Sequence, residues 1–271
     1  MGARKMKRLG LGTGVGTMGA AVAAVAITVA TPALGAEQTW NWSGTITEGK
    51  AIEIKDVNGS IEASGTTGSQ VIVTAVKKGR RNDPSEVRIE VVEHAGGVTI
   101  CAVYPSTDKP NECAPGEGGR LNTNKNDVNV QFEAKVPSGV RFIGRTVNGG
   151  IAARGIQADA EAHTVNGGVE IEADGTARAQ TVNGGISASL GRADWDGTLK
   201  LTTVNGGIEV RLPSSASIDV KASTVNGDIE TDFPLTVKGK IGRRRIEGSI
   251  GGGGPLLEME TVNGSIELKK S

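Results

Sequence analysis

His94 and His163 are the only imidazoles in the 271-residue chain, and neither stands in a pattern that makes it a base or a metal ligand. His163 precedes Thr164 at a place filled elsewhere by Arg145, Gln180, Thr202, Ser223 or Glu260. A position so tolerant is expected to be an exposed one. The sequence holds no Ser-His-Asp pattern, no HExxH and no calcium-binding GGxGxDxUx repeat. Two acid pairs, Glu170/Glu172 and Asp228/Glu230, lie two residues apart. Side by side on one strand face, such pairs resemble what glycan cleavage by two carboxylates requires. They also alternate with Val and Ile, as acids on a solvated strand face do. The sequence favours the second role, and it predicts no catalytic residue, no cofactor and no metal.

Cys101 and Cys113 are the only cysteines. Their spacing is not C-x-x-C and no histidine completes a zinc set, so a structural disulfide is expected. Lys238, Lys240, Arg243, Arg244 and Arg245 form a basic cluster that could meet anionic glycan or lipid headgroups. A solvated loop is the plainer alternative. Trp40, Trp42 and Trp195 are too few for an aromatic sugar platform and are expected to cover the ends of coils.

The compartment follows from the N-terminus. Arg4, Lys5, Lys7 and Arg8 precede an uncharged apolar run, Leu9–Ala30, and then small residues in TPALGA. This is the pattern of an export signal over residues 1–36, with a retained anchor as the rival. The formal charge of zero drops to about −4 when those four cations are removed. Nothing electrostatic points to nucleic acid. The protein is expected in the periplasm, on the cell surface or in the medium, with no integral membrane segment after cleavage. Oxidising conditions there suit the cysteine pair.

The elements that must carry these residues are set by a repeated phrase. TVNGGI or a close variant surrounds Asn148, Asn166, Asn183, Asn205, Asn226 and Asn263, and DVNGSI surrounds Asn58. From Asn148 the steps are 18, 17, 22, 21 and 37 residues. IEGSI, Ile246–Ile250, lies midway in the last step and looks like a decayed copy. Such a period marks stacked units. Asn and Gly tolerate a positive φ, so the chain is expected to bend there, with the flanking Val and Ile both facing a core.

Asn-Gly between apolar strands is also the hairpin signature, so an antiparallel meander or barrel competes. A hairpin series gains little from identical corners, whereas stacked coils place like on like about 4.8 Å apart. The seven asparagines are therefore expected to be buried in a hydrogen-bonded row. The fold expected is all-β, a single-stranded solenoid of about 17–22-residue coils. Residues 37–140, with period-two segments at Ala51–Ile54, Val71–Val76, Val87–Val92, Val98–Val103 and Val128–Val136, form a less regular β-rich part. Residues 141–271 continue the same domain as regular coils.

The TVNGGI/TVNGSI coils, WNWSGTI (Trp40–Ile46), ICAVYP in the cysteine loop and GSIGGGG before the last TVNGSIEL resemble a bacterial exported β-strand-repeat family labelled "putative adhesin". The likeness covers nearly all of residues 37–271. It implies a right-handed β-helix-like fold and no established catalytic activity, and it carries over no catalytic residue. Together these features predict a non-catalytic adhesin-like or envelope-scaffold protein that meets cell-envelope components or extracellular polysaccharide. The alternative is a β-helix that binds or cleaves glycans.

Overall fold

The computed structural model describes residues 37–237, 242 and 244–271. The expected export segment, 1–36, lies outside them. The described chain is all-β apart from one 3-10 turn at Pro84–Glu86. Before the regular coils come β1 (Glu37–Gly44), β2 (Ala51–Lys55), β3 (Ile61–Thr66), β4 (Val71–Lys78), β5 (Arg88–His94), β6 (Gly97–Val103) and β7 (Asn129–Pro137). Then follow β8 (Arg141–Arg145), β9 (Ile151–Ile156), β10 (Ala160–His163), β11 (Val169–Ala173), β12 (Ala177–Gln180), β13 (Ile186–Leu190), β14 (Thr198–Thr202) and β15 (Ile208–Leu212). The last six are β16 (Ile218–Ser223), β17 (Ile229–Thr231), β18 (Leu235–Val237), β19 (Arg245–Ile250), β20 (Leu256–Glu260) and β21 (Ile266–Lys270).

Each coil gives one strand to each of two sheets, and the Asn-Gly phrase is the corner between them. The first sheet runs β1-β4-β7-β3-β9-β11-β13-β15-β21-β17, and the second β18-β19-β16-β20-β14-β12-β10-β8-β2-β6-β5. Like strands pair in parallel and in register, as in Ile186↔Ile208 and Ala162↔Ala179. Alternation aims Val169 and Ile171 into the core and Glu170 and Glu172 to solvent. The interior between the sheets is mostly Ile, Val, Leu and Ala, with Phe132 and Phe142 among them, in one continuous cluster from Ile46 to Leu268. Two sheets and no closed barrel make this a β-solenoid-like architecture.

Stacking does not follow chain order at either end. Ala51–Thr66 sits directly on Arg141–Ile156, and the chain between them returns outside it as β6 and β7. At the other end the final coil, β20–β21, is inserted between the coils of Asn205 and Asn226. Antiparallel strands close both ends: β1, β4 and β5 at one, β18 and β19 at the other. This corrects the expectation for Ile246–Ile250. IEGSI is no rung; it lies in β19, antiparallel to β16, where it covers a strand that would otherwise offer a bare edge. Trp40 and Trp42 on β1 pack against the core at the first end.

Candidate functional site

Every residue of the corner phrase has its own task. The threonines are buried, and each Oγ1 donates to the corner-glycine carbonyl of the adjacent coil: Thr164 to Gly149 at 2.8 Å, Thr181 to Gly167 at 2.9 Å, Thr203 to Gly184 at 2.8 Å. The glycine is demanded by closeness. A Cβ on Gly184 would lie 2.0 Å from Gly167 O, and one on Gly149 2.0 Å from Gly59 O. Of the seven corner glycines only Gly59 has a positive φ, so at the other six the bend expected from left-handed backbone is in fact a steric requirement.

The asparagines form a continuous ladder. Nδ2 of Asn148, Asn166, Asn183, Asn205, Asn263 and Asn226 donates in turn to Oδ1 of Asn58, Asn148, Asn166, Asn183, Asn205 and Asn263, at 2.8–2.9 Å. The stack is as the sequence anticipates, but its location differs. Six of the seven are exposed and Asn58 is half-buried. The valines differ too. Val147, Val165, Val182, Val204, Val225 and Val262 are 36–54% exposed, and only Val57 is buried. The residue facing inward before the bend is Thr, because its hydroxyl satisfies a carbonyl that no backbone N–H reaches.

The position after the corner glycine opens a groove of about 570 Å³ on the outer face of the first sheet. Its floor is Ser60, Gly150, Gly168, Gly185, Gly207 and Ser265, one from each of six adjacent coils. Its wall carries Glu62, Glu170, Ser187, Glu209 and Glu267. Five steps of a parallel stack make it roughly 24 Å long. These floor glycines have no positive φ; a Cβ on Gly168 or Gly185 would meet carbonyl oxygen at 3.4–3.5 Å, in ordinary contact, whereas on Gly150 or Gly207 it would meet one at 3.3 or 3.1 Å and the neighbour would have to give. Ser60, Asp228 and Ser265 occupy the same position in other coils. The fold therefore permits a side chain where the groove has none. Corner glycines and floor glycines look alike in the phrase, so sequence alone could not separate the two roles.

Three of the four wall acids, Glu170, Glu209 and Glu267, are partnered by cations. Arg154 binds Glu170 through Nε at 3.0 Å and Nη2 at 2.5 Å. Lys269 reaches Glu209 at 2.7 Å and Glu267 at 2.5 Å, and Arg211 reaches Glu209 at 2.7 Å. The Lys269 ammonium holds the Glu209 carboxyl below the usual range, and Arg211 adds to it. Glu170 and Glu172 both point outward, as solvated-face acids do.

A buried polar cluster lies under the cysteine loop on the second sheet. Cys101 and Cys113 are disulfide-bonded. The Lys55 ammonium donates to the carbonyls of Ala114, Gly116 and Gly118, each at 2.9 Å, and burial pushes its pKa down against the pull of Glu53. Buried Glu53 accepts from Arg145 Nε at 3.0 Å, Thr99 Oγ1 at 2.9 Å and Gly116 N at 2.9 Å. Arg145 continues to Glu161 at 2.8 Å, and Glu161 meets His163 at 2.6 Å. His163 is thus half-buried and engaged, contrary to the exposed position expected. The His163 contact, with Arg145, holds the Glu161 carboxyl down. These partners hold the loop to the sheet.

Asp56 replaces the corner threonine in the first coil. It is buried, its Oδ2 has no hydrogen-bond partner among the described residues, and burial pushes its pKa up to about 7. The Tyr104 hydroxyl lies 3.1 Å from Val128 O, 3.2 Å from Asn58 O and 3.4 Å from Asp56 Oδ1. In the basic cluster, Lys238, Lys240 and Arg243 lie outside the described residues. Arg244 is exposed and gives its carbonyl to Thr224 N, and Arg245 approaches Glu247 at 4.0 Å. Trp195 is buried and donates Nε1 to Leu256 O at 3.3 Å, so it covers coils and forms no platform. No group of three or more potential metal ligands occurs among the described residues.

The Toastrack DUF4097 family model matches residues 45–269, which takes in every corner and every described strand but β1. The chain belongs to that family. No curated protein matches the sequence. Among solved structures, the Toastrack chain is similar to a "putative cell adhesion protein" from Clostridium sporogenes, with 12% identity and a TM-score of 0.43, covering 86% of this chain and all of that one. It is also similar to a "putative adhesin" from Bacteroides fragilis, with 11% identity and a TM-score of 0.31, covering 86% of this chain and 97% of that one. Among the described residues no helix is long and apolar enough to cross a membrane.

Proposed function

We propose that this Toastrack protein is an exported, non-catalytic surface scaffold that holds an extended polysaccharide of the cell envelope or its surroundings along the first sheet. The observation that carries this is the groove floored by Gly150, Gly168, Gly185 and Gly207, kept open at Gly168 and Gly185 where the fold accepts a side chain. A groove crossing six coils suits a linear polymer, because several weak contacts on a rigid array gain from effective concentration. Serines and ion-paired acids that line it give hydrogen-bond donors and acceptors suited to sugar hydroxyls. The Arg154–Glu170 and Lys269–Glu209 pairs support a binding role for these carboxylates over an acid–base one. The exported location rests on residues 1–36 and on the disulfide.

The test uses the purified protein with panels of cell-wall, lipopolysaccharide and plant or algal polysaccharides, following retention and the release of new chain ends. Retention without cleavage is expected. Cleavage abolished by Glu170→Gln with Glu172→Gln would instead make the protein a glycan-cleaving enzyme. Retention lost at moderate salt would move the contact to the Lys238–Arg245 cluster.

A further inference from the structure

The Asn-Gly corners differ in one respect that the repeated phrase conceals. With no side chain on the glycine, its backbone nitrogen can approach the preceding Asn Cγ, which makes Asn-Gly the dipeptide most open to loss of the side-chain amide. In six corners that nitrogen is engaged. Gly59, Gly149, Gly167, Gly184, Gly206 and Gly264 donate to the Asn carbonyl of the adjacent coil at 2.9–3.0 Å. Gly227 has no such acceptor among the described residues, because its coil is the last of the stack. The ladder ends there too. Each other Asn Oδ1 accepts an amide from its neighbour, whereas Asn226 Oδ1 accepts none among the described residues. Val225 beside it is 54% exposed, against 36–38% for the other exposed corner valines.

We propose that Asn226 is the site of spontaneous deamidation in this protein, and that the ladder protects the other six corner asparagines. The Gly227 nitrogen attacks Asn226 Cγ and a C–N bond forms. The Cγ–Nδ2 bond breaks, and ammonia leaves with the proton given up by the Gly227 nitrogen. Water then opens the resulting succinimide at either carbonyl, giving Asp or isoaspartate. The net exchange is of –NH2 for –OH, with no change of oxidation state. The product lacks the Nδ2 donor that binds Asn263 Oδ1 at 2.8 Å. In the isoaspartate form an extra methylene also enters the backbone at the Asn226↔Asn263 bridge. β17 pairs through only three residues, so the outer coil loosens while the inner stack stays intact.

The experiment incubates the folded protein in mildly alkaline buffer and maps its peptides by mass, with enzymatic labelling of isoaspartate. A gain of about one mass unit at Asn226 is expected. It should build at least about tenfold faster there than at any other corner, because local opening must precede reaction elsewhere. The denatured chain should react at all seven corners at comparable rates. Asn226→Gln should remove the folded-state signal; if that variant misfolds, the other six corners react instead and expose the failure. Equal rates at all seven corners of the folded protein would overturn the proposal. So would an intact Asn226 over the time in which the denatured chain converts.

Discussion

Thr181, Asn183 and Gly184 show how one corner divides its tasks among three residue types. Thr181→Val keeps the shape but leaves the Gly167 carbonyl without its side-chain donor, and is expected to lower stability by about 1–2 kcal/mol in denaturant unfolding. Asn183→Ala breaks the ladder at a solvent-facing rung. A cost of about 1 kcal/mol is expected, since water can replace an exposed partner. Gly184→Ala drives a Cβ to 2.0 Å from Gly167 O and should cost more than either, read as a larger drop in the same unfolding midpoint. Asp56 gives the pH dependence. Burial raises its folded pKa from 3.8 to about 7, so the folded state holds this proton more tightly than the unfolded chain. Its contribution is full below about pH 4, falls as pH rises towards 7 and is flat above, with a slope of up to about 1.4 kcal/mol per unit. Asp56→Asn should flatten that segment of a stability–pH profile; an unchanged slope would assign it to other groups.

At the scale of elements, the disulfide loop is tied down twice, by the Cys101–Cys113 bond and by the three carbonyls around Lys55. Reduction is expected to cost about 3 kcal/mol and to raise amide exchange over 114–118 before the coils respond. The individual coils were legible in the sequence because alternation in segments such as GVEIE and GIEVR carries a strand and its buried face together. Val57–Ile61 and its later copies likewise located each corner. The burial of the corner was not legible. Thr and Val both have β-branched shapes suited to a strand, and only the adjacent coil's carbonyl decides which turns inward. The role of Ile246–Ile250 was hidden for a similar reason: IEGSI matches a corner in composition, but its pairing partner, β16, lies 30 residues away along the Asp219↔Ser249 register.

At the scale of the molecule, the stack is closed by insertion. The first coil, β2–β3, lies two to three strands in from its end, and the last, β20–β21, lies one strand in on the first sheet and three on the second. Sequence spacing shows that coils repeat, but it cannot show that the order of stacking departs from the order of the chain. The groove depends on the same stacking, since its floor is assembled from six corners spread between Ser60 and Ser265. The most direct measurement is polysaccharide retention by the double variant Gly168→Gln with Gly185→Gln, beside the unaltered protein, with unfolding midpoints recorded for both. The floor accepts a Cβ at 3.4–3.5 Å, so the variant is expected to fold with a nearly unchanged midpoint and to lose retention. A well-folded variant that retains the polymer as strongly as the parent would contradict the account.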